Sequence, residues 1–321
     1  MARGRRSDHI PRISGGVCGV TVVSSGASAA EHCYLEVDLR PGHSIGELAA
    51  AAEALGDPLS TTGGVNLVIG FRPELWAQLA PGHAVEGLTG FNDDIVGPDG
   101  FRMPATQHDA WLWIAGGDRT TVFDNTLIVL RGLARIASVS TEVTGWLYQH
   151  DRDLTGFIDG TENPTLREAP AVATIPTGGG AGGSVVLVQK WQHDSDAFEA
   201  LAVEAQEQVM GRSKQDSVEL DDAVMPPTAH VARTALKEDG EELPIFRRNT
   251  AYGTVTDHGT LFVGFSQDQR RLVAMLNLMA GSADGIRDAL TRYTTPLTGA
   301  YYFVPSVEAL DQVCQQRGSR R

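Results

Sequence analysis

Alternating apolar and polar residues begin the patterned part of the chain. The segment 35–40 (LEVDLR) alternates between the two classes, which predicts a half-buried strand. Ser44 and Glu47 have the spacing of a capping box and open an alanine-rich helix that Gly56 closes. The pattern then predicts strands over 65–71, 110–115 and 138–148, and a helix over 120–136. The resulting order, β-α-β-β-α-β, is that of a ferredoxin-like unit.

The second half of the chain repeats this theme of strands and helices. A flexible glycine-rich link precedes a predicted strand over 184–191, and Gly211 ends a helix predicted over 195–210. A strand over 260–265, a helix over 267–279 and a strand over 300–304 follow. The acidic, irregular insert at 212–259 is long enough that a functional role is expected. The predicted fold class is therefore α+β, with two ferredoxin-like units packed sheet against sheet.

Four segments follow from these patterns. Residues 1–30 lack periodicity and are predicted to form a poorly ordered N-terminal extension. Residues 31–155 form the first unit, and residues 156–310 form the second unit with the long insert. Residues 311–321 form a polar, basic tail.

Composition describes an ordinary soluble globular protein. The 321 residues are 42% hydrophobic and 21% charged. The net charge of −14 argues against a nucleic-acid partner, because phosphate binding needs a basic surface. No apolar run approaches the ~20 residues that span a membrane, so no membrane partner is expected.

The N-terminal segment leaves two cellular locations open. Arg5 and Arg6, followed by a mildly apolar stretch and small residues at 27–30, weakly resemble an export signal. The apolar stretch is interrupted, however, and three cysteines without a C-x-x-C pair favour a reducing compartment. We therefore expect a cytoplasmic protein, with export as the alternative.

The stretch 151–164 (DRDLTGFIDGTENP) combines carboxylates with turn residues and fits two kinds of site. Its spacing matches the oxygen ligands of a twelve-residue calcium loop. It also suits one carboxylate, Asp159, held by tight turns at Gly156 and Gly160 beside a reactive cofactor. A calcium EF-hand needs a helix on each side, which Pro164 and the strand-like segment before the loop disfavour. The second interpretation is therefore preferred.

Other candidate groups lie far along the chain. The nine histidines show no H-x-x-x-H or H-x-H spacing, so a zinc-hydrolase site is unsupported. His230 lies in PPTAHVART, where a buried histidine bonded to backbone is the simpler alternative to a functional one. Arg247 and Asn249 lie in IFRRNTAYG, and a surface ion pair is the default explanation for a single arginine. No P-loop, G-x-G-x-x-G or G-x-S-x-G motif indicates a nucleotide enzyme or a hydrolase.

Taken together and in this order, GFIDGTENP at 156–164, His230 and the R-x-N at 247–249 closely resemble the dye-decolorizing haem peroxidases. The resemblance is strongest to the B-type, intracellular bacterial branch and extends over about 31–310 of the sequence. It also includes the segments MPATQHD, VMGRSK and PLTGAYYFVPS. The fold that it implies is the dimeric α/β-barrel-like pair of ferredoxin-like units, in agreement with the repeat.

The resemblance implies one haem b per chain and a role for each matched residue. His230 would be the proximal ligand of the haem iron, with Asp288 bonded to its imidazole. Asp159 would be the distal carboxylate and Arg247 the distal arginine, which also contacts the cofactor. These four residues would carry the reaction with peroxide.

Three further residues are assigned around the same cofactor by the resemblance. Asn249 would line the peroxide pocket, at a position where relatives vary. Arg212 and Glu162 would lie near the haem edge or its propionates. Acidic residues that include Glu162 could alternatively bind manganese as an electron donor.

The function implied is a haem peroxidase that reduces hydrogen peroxide and oxidises dyes, phenols or other small aromatic donors. A haem-handling or iron-release protein of the same family is the alternative, and a calcium-binding protein is the least favoured one. Bulky donors would need aromatic relays, for which Trp191, Tyr252, Trp146 and Tyr148 are candidates, although each is more simply a core residue. A homo-oligomer is expected, and the polar, basic C-terminus does not resemble an encapsulin-targeting tail.

Overall fold

A closed antiparallel sheet forms the centre of the computed structural model, which describes residues 29–55, 65–149, 151–238 and 241–318. The strands are β1 Glu31–Leu39, β2 Asn66–Phe71, β3 Ile95–Val96, β4 Arg102–Met103, β5 Ala110–Gly116, β6 Ala137–Trp146, β7 Ser184–His193, β8 Lys237–Glu238, β9 Glu241–Glu242, β10 Phe246–Arg247, β11 Thr250–Gly253, β12 His258–Ser266, β13 Thr294–Pro296 and β14 Ala300–Val304. The α-helices are α1 Ile45–Leu55, α2 Pro73–Leu79, α3 Arg119–Leu133, α4 Ala169–Ala173, α5 Ser195–Glu199, α6 Val203–Met210, α7 His230–Thr234, α8 Gln269–Ala280 and α9 Val307–Gly318. Short 3₁₀ helices span Pro81–His83 and Ala289–Arg292.

Strand order confirms the predicted pair of ferredoxin-like units. The first unit has the order β6-β1-β5-β2, and the second has β14-β7-β12-β11, so each places its first and third strands in the centre. The two units also pair along their edges. Phe71 of β2 pairs with Phe303 of β14, while Gly145 and Trp146 of β6 pair with β11. These two seams close the sheet into a barrel.

Strand β1 has the predicted alternation but is buried on both faces. Leu35 and Val37 contribute to the core outside the barrel, whereas Tyr34 belongs to the core inside it. Glu36 points to the interior as well and is only 5% exposed. The prediction of a half-buried strand was therefore wrong, because the second unit covers the face that alternation assigned to solvent.

Helices cover the outer surface of the barrel. α1 and α3 contact each other, and α3 packs on β1 and β5, while α8 packs on β7 and β12 of the second unit. The predicted capping box is present: the Ser44 N–H donates to the Glu47 carboxylate over 2.8 Å, and the Glu47 N–H donates to the Ser44 hydroxyl. Gly56, the expected end of this helix, lies outside the described residues.

The predicted helix over 195–210 is two helices, α5 and α6. The interruption is stabilised by Gln206, whose buried side-chain amide donates to the carbonyls of Phe198 and Leu201. Gly211 ends α6 as expected, with a φ of 84° that favours glycine. Helix α2, which begins at Pro73, was not predicted.

The long insert is more ordered than its sequence suggests. It contains α7, the β8–β9 hairpin, and strands β10 and β11, both of which join the main sheet. The boundary proposed at residue 155 lies in the loop that follows β6, and the division into two domains stays a prediction. Of the predicted N-terminal extension, residues 1–28 lie outside the described residues. No helix in the described ranges has the length and apolar character needed to cross a membrane.

Candidate active site

A deep cavity lies against the outer face of the second unit, on the side of β7 and β12. It is enclosed by α7, α8, the 3₁₀ helix, the loop 151–164 and strand β10. The larger part of its lining surface is apolar, and the apolar side chains are those of Ile158, Trp191, Met210, Val231, Ala235, Leu236, Leu243, Pro244, Ile245, Phe262, Met275, Met279 and Leu290. The cavity therefore suits a large, mainly apolar ligand with a few fixed polar contacts.

His230 is the first residue of α7 and lines the cavity. Its Nδ1 lies 2.7 Å from Oδ2 of Asp288, which is fully buried behind it. Asp288 also caps the 3₁₀ helix, because its other oxygen accepts the Leu290 N–H over 2.9 Å. With Nδ1 bonded to a fixed carboxylate, Nε2 is the ring nitrogen available to a ligand in the cavity.

The loop 151–164 is a series of tight turns rather than an EF-hand. Asp151, Gly156 and Gly160 all have positive φ angles, of 64°, 84° and 73°. The Arg152 guanidinium donates to the Gly156 carbonyl, which fixes a cation within the loop. Strand β6 precedes the loop where a calcium-binding motif would have a helix. These turns present the Asp159 side chain to the cavity.

Asp159 and Arg247 both line the cavity and are held through their main chains. The Asp159 N–H donates to the Asp151 carbonyl over 2.7 Å, and its carboxylate accepts the Gly160 N–H. The Asn163 side chain forms two hydrogen bonds with the main chain of Arg247. Its Oδ1 accepts the Arg247 N–H over 2.8 Å, and its Nδ2 donates to the Arg247 carbonyl. Within the described part of the chain, the Arg247 side chain forms no salt bridge with a carboxylate. Its charge is therefore available to a ligand.

Arg212 and Glu162 lie together at the cavity wall. The Arg212 guanidinium bonds the Glu162 carboxylate, reaches the Glu219 carboxylate over 3.2 Å, and donates to the Ser217 carbonyl. Arg212 is nearly buried, whereas both carboxylates are about half exposed. Among the described residues, no group of three His, Cys, Asp or Glu side chains is arranged to hold a metal ion. Glu162 thus serves here as an ion-pair partner.

Two buried polar atoms of the cavity lining lack partners within the described structure. They are the Nε2 of Gln189 and the Oδ1 of Asn249. Gln189 is only 1% exposed, so water does not solvate this amide freely. Buried polar groups are normally bonded, and these two atoms therefore indicate a ligand or water with hydrogen-bonding groups.

Several residues of the cavity carry no sequence signal of their position there. Gln189, Trp191 and His193 alternate along β7 and all face it. The strand reads as an ordinary apolar run, in which Trp191 was expected only as a candidate electron relay. Burial lowers the pKa of His193 to about 4, with a smaller contribution from His258, so the imidazole is neutral. Asn163 was noticed only as part of a longer segment. The alternation of Gln189, Trp191 and His193 along β7 is the sequence pattern that could have indicated a shared polar face.

Asp153 is a further residue of the cavity that was missed. Burial raises its pKa to about 6, and the charge of Asp159 adds to the rise, while hydrogen bonds from Thr155 oppose it. The Thr155 N–H donates to the Asp153 carboxylate over 2.8 Å. Two neighbouring carboxyls thus face one apolar cavity, and Asp153 takes up a proton near neutrality.

Replacing Asp153 with Asn is expected to remove a pH-dependent loss of stability. The folded-state pKa of about 6 exceeds the ordinary 3.8, so the folded protein binds the extra proton between these values. Stability is therefore highest below the ordinary pKa and falls as pH rises through about 6. The loss is roughly 2–3 kcal/mol for a shift of this size. In thermal unfolding, the melting temperature of Asp153→Asn relative to the wild type should be higher at about pH 7.5 than at about pH 4. An equal difference in melting temperature at the two pH values would contradict the prediction.

Comparisons with known proteins identify relatives over most of the chain. The family model described as Dyp-type peroxidase, C-terminal, matches residues 150–309. A dye-decolorizing peroxidase from Rhodococcus erythropolis is 36% identical over 255 residues, which are 78% of this chain and 74% of the relative.

Solved structures agree with these sequence relatives. A dye-decolorizing protein from V. cholerae superposes with a TM-score of 0.81 and 32% identity, covering 90% of this chain and 98% of that one. A variant of Rhodococcus jostii RHA1 DypB, solved in complex with heme, gives 0.82 and 30% identity over 89% of this chain and 96% of the other.

Proposed function

Because the chain belongs to the dye-decolorizing peroxidase family and is a haem-dependent peroxidase, we propose that the cavity beside β7 and β12 holds the haem. The main support for this proposal is the His230–Asp288 pair. A neutral imidazole whose Nδ1 bonds a buried carboxylate is the arrangement that proteins use to present Nε2 to a metal. His230 would thus be the proximal ligand, with Asp288 fixing its orientation.

The residues present fit a haem group. The apolar lining suits a porphyrin face, and the unpartnered Nε2 of Gln189 and Oδ1 of Asn249 mark places where a bound group or its waters would complete the hydrogen bonding. Arg212, which the resemblance placed near the propionates, lines the same wall and is held there by Glu162 and Glu219. When bound, haem supplies the electrons that reduce peroxide to water.

Asp159 and Arg247 would act on the peroxide itself. Peroxide must lose a proton from one oxygen and gain one at the oxygen that leaves, and the Asp159 carboxylate can carry that proton between them. Arg247 would stabilise the negative charge that develops as the O–O bond breaks, a task suited to a permanent cation in an apolar site. Asn163 would keep Arg247 in position through its two main-chain hydrogen bonds.

The neighbourhood of His230 would tune its basicity. The Asp288 carboxylate accepts the Nδ1 proton of His230 and is buried from water, so its charge acts strongly on the ring. This contact gives the imidazole more anionic character and makes Nε2 a stronger electron donor. Asn249 would line the space in which peroxide binds.

Hydrogen peroxide and organic electron donors are the substrates of this enzyme class. We propose small phenolic or aromatic donors, since the cavity wall is apolar. A cytoplasmic location is supported by the three cysteines of the sequence, which form no C-x-x-C pair and suit a reducing compartment. The net charge of −14 supports the absence of a nucleic-acid partner. A homo-oligomer stays a proposal for sedimentation measurements to test.

The function is tested by expressing the full chain with a haem precursor. We expect a Soret band that corresponds to one haem per chain, and oxidation of an aromatic dye that depends on hydrogen peroxide. Heat-inactivated protein and free haem at the same concentration are the controls. A haem-loaded protein that releases iron without oxidising any dye or phenol would contradict the proposal.

A further inference from the structure

Oxidisable rings form a continuous stack inside the barrel, away from the cavity. Trp113 lies 5.9 Å from Tyr34, Tyr34 lies 6.4 Å from Trp111, and Trp111 lies 6.3 Å from Tyr302, measured between ring centroids. Each pair is nearly parallel and all four side chains are buried. The first three rings belong to the first unit and Tyr302 to the second. The stack therefore crosses the interior that the two units share.

One end of this stack approaches the cavity through strand β10. Arg247 lines the cavity, and the preceding residue, Phe246, belongs to the core inside the barrel. The Phe246 ring lies 6.4 Å from Phe265, which lies 6.2 Å from Trp113. The cavity and the stack thus lie on opposite faces of a single sheet.

The other end of the stack has a built-in proton acceptor. The Tyr302 hydroxyl donates to Oε1 of Glu36 over 2.7 Å, and both groups are buried. A phenol that loses an electron becomes strongly acidic, so oxidation of Tyr302 is easier when a base already accepts its proton. Glu36 has no salt-bridge partner among the described residues, so its carboxylate is not already committed to a cation.

Other rings of the stack are less suited to hold an oxidising equivalent. Trp113 donates to Nδ1 of His32 over 3.0 Å, but burial lowers the pKa of His32 to about 4 and makes it a weak base. Burial raises the pKa of Glu36 instead, so a proton transferred to its carboxylate is held more firmly than one on His32. The indole N–H of Trp111 has no partner within the described structure.

The charge distribution around the stack also favours an oxidising equivalent at the Tyr302 end. The Arg248 guanidinium lies 5.0 Å from the Phe246 ring, next to the cavity. A cation there disfavours positive charge on the rings nearby, whereas Tyr302 lies at the far end of the stack. An electron hole that enters the stack is therefore driven away from Arg248 and towards Tyr302.

We propose that Tyr302 is a redox-active residue that takes up one oxidising equivalent produced by peroxide reduction when no external donor is bound. Tyr302 gives one electron to the oxidised active site and its phenolic proton to the Glu36 carboxylate, which leaves a neutral tyrosyl radical and a protonated Glu36. One electron from an external donor and the return of that proton restore both groups. This inference rests on the peroxidase function and adds a storage site to it.

The chain offers a matched control in the neighbouring residue. Tyr301 is also buried, but it faces the outer core against Phe91, and its hydroxyl has no partner in the described structure. Tyr301→Phe therefore removes a buried phenol from the same strand without touching the stack. Glu36→Gln retains a hydrogen-bond acceptor for Tyr302 but removes the base.

The experiment mixes haem-loaded enzyme with one equivalent of hydrogen peroxide, without donor, and freezes it within milliseconds for electron paramagnetic resonance. Ring-deuterated tyrosine identifies a tyrosyl signal by its altered hyperfine splitting. We expect this signal in the wild type and in Tyr301→Phe, its loss in Tyr302→Phe, and a marked decrease in Glu36→Gln. The Soret band and peroxide consumption confirm in each variant that the cofactor site is intact.

Two results would overturn the inference while leaving the peroxidase function in place. One is an unchanged tyrosyl signal in Tyr302→Phe, and the other is a wild-type enzyme that consumes peroxide without forming a tyrosyl radical. A haem-loaded wild type that consumes no peroxide would instead refute the peroxidase function, and this inference with it. If Tyr302→Phe does not fold, Glu36→Gln provides the test. An undiminished tyrosyl signal in Glu36→Gln would exclude Glu36 as the proton acceptor and overturn the inference.

Discussion

His230→Ala is expected to yield protein with little bound haem and with peroxidase activity reduced to background. The substitution removes an imidazole that, alone among the described histidines of the cavity, is oriented by a buried carboxylate, the Asp288 partner at 2.7 Å. It also leaves that carboxylate without its ring partner, which costs stability because Asp288 is fully buried. The measurement is the ratio of Soret absorbance to protein concentration after purification, followed by the peroxide-dependent oxidation of a dye.

Two further variants test whether the effect is specific to the His230–Asp288 pair. Asp288→Asn keeps the side-chain size but removes the anion, and we expect haem to bind about 10–100-fold more weakly. His258→Ala removes a histidine whose Nε2 bonds the Ser195 hydroxyl at 2.7 Å, and it should retain full haem content and activity. Normal haem content and activity in His230→Ala would show that another residue holds the iron.

Arg247→Leu is expected to bind haem normally but to lower kcat/KM for hydrogen peroxide by about 10²–10³-fold, the usual effect of removing one group that stabilises developing charge. The fold should tolerate this change, because Asn163 bonds the main chain of residue 247 rather than its side chain. Arg247→Lys should restore activity only in part, since an ammonium is compact and lacks the planar fork of a guanidinium. Stopped-flow measurement of the reaction with peroxide separates this step from the oxidation of the donor.

A matched control for Arg247 lies on the surface of the first unit. Arg131 is exposed on α3, far along the chain from any residue of the cavity. Arg131→Leu removes the same charge from the protein as a whole and should leave the peroxide reaction unchanged. If both leucine variants reacted with peroxide at the wild-type rate, Arg247 would have no role in cleavage of the O–O bond.

Local patterns were sufficient to predict the fold class and most of the main elements. Periodicity and capping identified α1 with its Ser44–Glu47 box, and the spacing of apolar runs identified the first β-α-β-β-α-β unit in full and the second without its second strand, β11. Alternation has a period of two whatever covers each face, however, so it could not distinguish solvent from a second core. Glu36 therefore reads as exposed in the sequence but is buried inside the barrel.

Interactions between distant residues were beyond what local patterns could predict. The side chain of Gln206 stabilises the break between α5 and α6, and nothing in an otherwise helical run signals that role. Asp288 and Asn163 each act on a partner far along the chain, at sequence separations of 58 and 84 residues. The resemblance to a family placed Asp288 in the site, but the sequence held no independent sign that Asn163 holds Arg247.

Closure of the barrel has a consequence for how the chain folds in the cell. The interior pairs residues from opposite ends of the chain, as in the bond between Tyr302 and Glu36, which are 266 positions apart. Such contacts form slowly, because long loops must close before any contact stabilises them. While the ribosome makes the second half, the first unit exposes the edges of β2 and β6, and exposed edges promote misassembly. A nascent chain is therefore most in need of chaperones just before β11 and β14 emerge.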